Sequence, residues 1–288
     1  EAMEERNERG ETLEEFLARY DETKYRRPSN TVDMILLTVL KGKLKVLLVK
    51  RKDHPFIHDW AMPGGFVNFD EDLDTAMKRE LEEETNLFDS TYFRQLYTFG
   101  NADRDPRTRV ITTVYLSMTP AENIKMTSAG DDAMDTGWFT IQKITTTTDG
   151  YERKSVLMLD EEEKGIHLRY EIYDTACDNY VQTRSKLLDS SNAKLAADHI
   201  KAINMAIDVV RNRAASTGIM FNLLPKECTL REIQEVYEAI VNHPVDTGNF
   251  RRDIKKMLVA TGNTTIVNGR KVATYSFNPL LPFVKETL

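Results

Sequence analysis

Residues 65–87, GFVNFDEDLDTAMKRELEEETNL, read as a loop running into a helix. Leu73, Ala76, Met77 and Leu81 supply helix formers at helical spacing. Asp70, Glu71, Asp72 and Asp74 crowd the expected first turn, where negative charge suits the helix dipole. Glu80, Glu83 and Glu84 then stand at i, i+3 and i+4 and share one face. Carboxylates this close repel one another unless a cation sits among them, and hard oxygen donors on a rigid helix suit Mg2+ or Mn2+. Such ions accompany phosphate chemistry, as Lewis acids and as activators of water. Taken alone, the acidic run also fits a plain solvated face.

The surrounding spacing separates these readings. Gly65, Glu71, Arg79-Glu80-Leu81, Glu83-Glu84 and Leu87 resemble the Nudix box: Gly, five residues, Glu, seven residues, Arg-Glu-apolar, one residue, Glu-Glu, one residue, Gly, apolar. The one departure is Asn86, where the family has Gly; that position ends the helix, and Asn tolerates a left-handed backbone second best after Gly. The resemblance implies a Nudix α/β/α sandwich with a mixed sheet. It further implies metal ligation by Glu80, Glu83, Glu84 and a backbone carbonyl near Gly64. Glu80 and Glu84 would hold one ion and Glu83 a second, Arg79 would orient a neighbouring carboxylate, and Glu71 would support the loop.

Composition sets wider limits. A chain of 288 residues suggests two domains, and 41% hydrophobic with 30% charged residues describes an ordinary globular protein. No apolar run approaches the ~18 residues of a membrane-spanning helix, and the acidic N-terminal stretch lacks a signal-peptide pattern. Cys177 and Cys228 lie far apart without metal-type spacing, so a reducing, cytoplasmic setting is expected. The net charge of −7 is uneven: residues 226–288 carry nine Lys/Arg against seven Asp/Glu, and the rest carry 30 against 39. That asymmetry points to a different partner for the C-terminal part.

Along the chain, residues 4–20 read as a short amphipathic helix with Leu13, Phe16, Leu17 and Tyr20 at helical spacing. Strands are expected from Met34 to Leu40 and Leu44 to Lys50, and again from Trp60 into the box. Arg51, Lys52, His54 and His58 form either a basic rim for phosphate or an ordinary exposed loop. After the box come strands over Tyr92–Phe99 and Val110–Leu116 with a charged loop between them. Thr98-Phe99-Gly100 and Arg104-Asp105-Pro106-Arg107 look like ADP-ribose pyrophosphatases of the Nudix superfamily and their regulatory relatives. By that likeness Arg104, Arg107 and Arg109 pair with phosphate or ribose through their fork-shaped donors, and Arg51 joins them as substrate-binding residue from the basic rim. A loop-stiffening Arg/Asp network is the alternative. Asp131 or Asp132 fits either a water-activating role or a helix cap. Residues 145–192 read as an added hairpin with strands over Ser155–Asp160 and Ile166–Tyr173, and Asn192–Arg213 as a helix in which His199 is a packing residue.

From Leu223 the pattern changes. Thr229 caps a helix over Leu230–Asn242, Asn249–Leu258 forms a second, and Thr264–Val267 pairs with Val272–Phe277 through an Asn-Gly turn. Two helices and a hairpin make a winged helix-turn-helix. Asn249, Arg251, Arg252, Lys255, Lys256, Arg270 and Lys271 are its candidate contacts to double-stranded DNA. A protein–protein module of the same fold is the alternative. The run TLREIQEVYEAIVNHPVDTGNFRRDIKKM looks like the C-terminal domain of Nudix-related transcriptional regulators of NAD metabolism. That likeness implies a homodimer on a near-palindromic operator. The resulting organisation is residues 1–30 as N-terminal helix and lead-in, 31–145 as Nudix domain, 146–218 as added hairpin and linking helix, and 219–288 as winged helix.

Two functions compete. In such regulators the box is often degraded, whereas Arg79, Glu80, Glu83 and Glu84 are retained here. Retention favours metal-dependent hydrolysis of a nucleoside diphosphate linked to another group, ADP-ribose first. The alternative is a regulator whose Nudix domain senses such nucleotides without cleaving them. A nucleotide pyrophosphatase with a purely structural winged appendage is a third class.

Overall fold

The computed structural model describes residues 5–85, 92–126 and 133–281. A capping box formed by Thr12 and Glu15 opens α1 (Leu13–Arg19), which is shorter than the sequence suggests and buries none of its residues. The strands β1 (Ser29–Leu40) and β2 (Lys43–Arg51) form the expected hairpin. Two short strands, β3 (Trp60–Ala61) and β4 (Gly64–Phe66), lead into α2 (Leu73–Thr85). Then follow β5 (Tyr92–Phe99), β6 (Val110–Met118) and β7 (Ala133–Asp149). Asn86, Leu87, Asp131 and Asp132 lie outside the described residues.

Residues 146–192 contain the expected hairpin, with longer strands and one further strand beyond it. They complete β7 and form β8 (Glu152–Glu161), β9 (Ile166–Cys177) and β10 (Tyr180–Leu187), all antiparallel and continuous with the main sheet. The sheet order is β10-β9-β8-β7-β2-β1-β6-β5, with β3 on β2 and β4 on β1. Since β1 runs parallel to β6 and antiparallel to β2, the sheet is mixed, as expected.

The alternation of β1 builds both faces. Val32, Met34 and Leu36 meet Ala76, Met77 and Leu81 of α2 on one side. Ile35 and Leu37 face the opposite side, where α3 (His199–Ala214) lies. Near-continuous apolar sequence in β1 is what a strand covered on both faces requires. The helix expected from residue 192 begins only at His199, because residues 194–196 pair with β3: Trp60 N–H donates to the Lys194 carbonyl at 3.0 Å and Ala196 N–H to the Trp60 carbonyl at 2.8 Å.

The C-terminal unit is a winged helix as read: α4 (Leu230–Val241), α5 (Thr247–Ile254), β11 (Leu258–Val267) and β12 (Arg270–Phe277). Ile203, Ile207 and Val210 of α3 share one apolar cluster with Ile233 and Ile240 of α4. The linking helix is thus packed into both the sheet and the winged helix. No helix among the described residues is long and apolar enough to cross a membrane.

Candidate functional site

The box folds into a corner made by β4 and α2. Pairing of β4 with β1 sets Gly64 opposite Asp33 and Gly65 opposite Val32. Gly64 has φ +152, and a Cβ there would lie 2.2 Å from the Val32 carbonyl oxygen. A Cβ on Gly65 would lie 2.2 Å from Glu80 Oε1. Two glycines are therefore what lets the loop pass between β1 and the Glu80 carboxylate. Glu80 sits on the buried stripe of α2 beside Ala76, Met77 and Leu81.

Arg79 knits the corner together. Its Nε and Nη2 donate to both oxygens of Glu71 at 3.1 and 2.7 Å, and Nη2 also donates to the Phe66 carbonyl at 3.0 Å. Its Nη1 donates to Glu80 at 2.7 Å and Glu83 at 3.1 Å. Bidentate pairing with Arg79, aided by the Asn68 N–H, holds the Glu71 carboxyl at about 2. Burial raises the Glu80 carboxyl, against the pull of Arg79. Arg79 thus contacts the Glu71, Glu80 and Glu83 carboxylates together.

The corner opens into a cleft of about 1000 Å³, lined by Glu80, Glu83, Glu84, Gly64, Arg51, Arg104 and Arg107 among others. Among the described residues, no three acidic, His or Cys side chains converge on one metal position. The donor chemistry nevertheless fits a hard divalent cation: Glu80, Glu83 and Glu84 line one wall of the cleft and offer carboxylate oxygens, and Arg79, which bridges Glu80 and Glu83, is shared with Glu71.

The arginines divide. Arg51 Nε donates to the Pro55 carbonyl at 2.8 Å, fixing the basic loop whose Lys52 and His54 also line the cleft; His58 does not. Arg107 is held by Asp105 at 2.9 Å and lies over the Phe66 ring, 5.5 Å from its centre. Arg109 is exposed and outside the cleft lining; its backbone carbonyl accepts from Ser29 instead. The side chain of Arg104, 6% exposed, is committed to Asp198, with Nη2 2.9 Å from Oδ1 and Nε 3.3 Å from Oδ2.

Three residues in or beside the cleft escaped the sequence reading. Asp33, a lone acid in an apolar strand, accepts from Thr112 at 2.6 Å and lies 3.9 Å from Arg104. Asp198 anchors Arg104. His199, read as a packing residue, is indeed buried, yet it lines the cleft and its Nδ1 accepts from the Met62 N–H at 2.9 Å. Burial lowers its basicity. Asp33 carried the one usable signal, a charge at an otherwise apolar position.

In the winged helix, the side chains of Asn249, Arg251, Arg252, Lys255, Lys256, Arg270 and Lys271 are all exposed, on α5, the turn that follows it and the tip of the β11–β12 hairpin. The only acid between residues 247 and 271, Asp253, lies 3.3 Å from Arg252.

A NUDIX domain profile matches residues 28–159, and an NrtR DNA-binding winged helix domain profile matches residues 220–277. The ADPR responsive transcriptional repressor NtrR of Acinetobacter baylyi is 28% identical over 266 residues, which is 91% of this chain and 87% of that protein. An ADP-ribose pyrophosphatase of Methanocaldococcus jannaschii is 34% identical over 129 residues, covering 45% of this chain and 72% of that one. The crystal structure of Shewanella oneidensis NrtR complexed with a 27mer DNA superposes with a TM-score of 0.57 at 26% identity, over 87% of this chain and 94% of that chain. Box, sheet and basic winged helix agree with these likenesses, and the chain belongs to the Nudix family, with an NrtR-type winged helix joined to its Nudix domain.

Proposed function

We propose that this chain is a DNA-binding regulator whose Nudix cleft senses ADP-ribose or a closely related nucleoside diphosphate. The observation that carries this reading is the exposed basic set on α5 and the wing, borne by a unit whose apolar core is continuous with the Nudix domain. A purely hydrolytic enzyme has no use for such a surface. Likeness to the Acinetobacter repressor over nearly the whole chain, and to the Shewanella protein with DNA, supports it. A symmetric operator would pair with a homodimer, each α5 in a major groove and each wing on phosphates.

The test uses the full chain and duplex DNA selected from a random library. Selective binding is expected, and Arg251→Ala/Arg252→Ala should lower the salt slope of the bound homodimer by about 4, roughly one for each of the two residues lost from each protomer. Failure to enrich any duplex overturns the DNA assignment.

A second reading, hydrolysis in the same cleft, is favoured by the intact Arg79, Glu80, Glu83 and Glu84. Mg2+ or Mn2+, held by those glutamates and the Gly64 carbonyl, would supply Lewis-acid polarisation and an activated water. The chain itself contributes Arg79, which keeps Glu80 and Glu83 oriented, and Glu71, which holds Arg79. Arg107 and Arg51 stand ready to neutralise the diphosphate. Water attack on one phosphorus would break the diphosphate bridge, so that ADP-ribose gives AMP and ribose 5-phosphate. Turnover should vanish in Glu80→Gln/Glu84→Gln with the fold intact. Without turnover in the unaltered chain, the cleft is a sensor alone.

A further inference from the structure

Residues 197–199 join the cleft to α3 in an unusual way. Ala197 has φ +43, a left-handed backbone that L side chains rarely adopt, so the chain turns sharply there. Asp198 occupies the N-cap position of α3, where an Asp side chain ordinarily accepts from the first helical N–H groups. It makes no such bond, because both its oxygens are taken by Arg104. His199, 7% exposed, gives Nδ1 to Met62 N–H. A neutral imidazole accepting at Nδ1 carries its proton on Nε2. That N–H has no hydrogen-bond partner among the described residues, and His199 lines the cleft. Nε2 is not sealed in the core but opens onto the cleft, where a ligand oxygen can accept from it. Asp33, Asp198, Arg104 and Arg51 are the charges whose fields act on the ring. The Nε2–H donor and the Asp198-held Arg104 both suit an anionic ligand rich in oxygen acceptors.

We propose that residues 197–199 read the occupant of the cleft: His199 Nε2–H donates to an oxygen of a bound nucleoside diphosphate, and Arg104 leaves Asp198 for a phosphate oxygen of that ligand. Asp198, released, caps α3. The segment is therefore a two-state element, with Asp198 on Arg104 when the cleft is empty and on the helix N-terminus when it is filled. Since α3 packs into the winged helix, the exchange is felt there. This rests on the sensing reading above.

The experiment titrates the full chain with α,β-methylene ADP-ribose and Mg2+ by calorimetry. Two variants separate the nitrogens of His199. His199→Asn keeps an acceptor near Met62 N–H but loses the cleft donor; His199→Gln keeps the donor and loses the brace. His199→Asn should weaken binding about fivefold, the worth of one neutral hydrogen bond, and His199→Gln should stay within about twofold. Asp198→Asn, which caps as well as Asp but holds Arg104 less, should tighten binding about threefold. The opposite order at position 199 makes His199 a backbone brace only and overturns the proposal. So does unaltered affinity in all three variants. If His199→Asn does not fold, unaltered or weaker binding by Asp198→Asn overturns it. Failure of the unaltered chain to bind the analogue overturns the sensing reading and this inference with it, whereas binding that is indifferent to the three variants overturns this inference alone.

Discussion

Glu80 shows why a motif of spacings becomes a site. Its carboxylate leans over Gly65 so closely that a methyl group there would lie 2.2 Å from Oε1 and 2.6 Å from the carboxyl carbon. Gly65→Ala is therefore expected to keep the fold at a cost of about 1–3 kcal/mol while driving Glu80 off Arg79. Urea denaturation should show the modest loss and nucleotide binding a larger one; equal, small losses in both would count against the packing argument. Glu71 offers a second residue-level test. Arg79 holds its carboxyl at about 2 against an ordinary 4.5. A carboxyl depressed in the folded state contributes fully above about 4.5, and that contribution disappears as pH falls toward 2, because the unfolded chain takes up the proton first. The thermal midpoint gap between the unaltered chain and Glu71→Gln should thus be widest near neutral pH and shrink over that window. A gap that stays constant with pH would refute the linkage. These residues were legible in sequence because the box lies on one loop and one helix, where spacing alone sets neighbours. Asp198 and His199 were not, because their partners Arg104 and Met62 lie 94 and 137 residues away.

Among elements, β10 was the least legible. It buries none of its residues and follows a hairpin whose outward positions in β9 include the charged Arg169 and Glu171, so the sequence marks the hairpin but not the strand that extends it. The charges have partners that only the tertiary fold reveals. Lys143 of β7, with 3% of its side chain exposed, donates to Asp208 of α3 at 2.7 Å and lies 3.7 Å from Asp174 of β9. Arg153 of β8 donates to Asp174 at 2.7 Å and Asp208 at 3.2 Å. Burial lowers the basicity of Lys143, and Asp208 and Asp174 oppose that effect. The cluster fastens α3 to the sheet extension. Asp208→Ala strands Lys143 beside a shared acid and is expected to cost about 3 kcal/mol in urea denaturation. Adding Lys143→Met should recover most of that loss, since the harm lies in the unpaired buried charge. If the double variant is no more stable than the single, the cluster acts through packing and not through charge.

At the scale of the whole molecule, the winged helix was legible as a unit but its attachment was not. Capping residues, apolar spacing and the Asn-Gly turn are local signals. What joins it to the cleft is α3, whose length and packing depend on partners remote in sequence. Arg211 makes the join specific. Its Nε donates to the Ile240 carbonyl near the end of α4 at 2.9 Å, and its Nη1 to the Lys143 carbonyl at 3.2 Å. One side chain thus bridges sheet, linking helix and winged helix without touching either the cleft lining or the basic surface. If nucleotide and DNA communicate through α3, coupling is a free energy shared by both sites, and each ligand must alter the affinity of the other by the same factor. Arg211→Met keeps the apolar stem and removes both hydrogen bonds. It is predicted to leave nucleotide affinity without DNA, and DNA affinity without nucleotide, within about twofold, while the mutual factor falls about fivefold, equivalent to about 1 kcal/mol of coupling. Anisotropy titrations of labelled duplex at zero and saturating ADP-ribose measure that factor in one direction, and calorimetry with and without duplex measures it in the other. Equal reduction in both locates the coupling in the α3–α4 contact. An undiminished factor would place the communication elsewhere, through the β2 strand that also packs against α4.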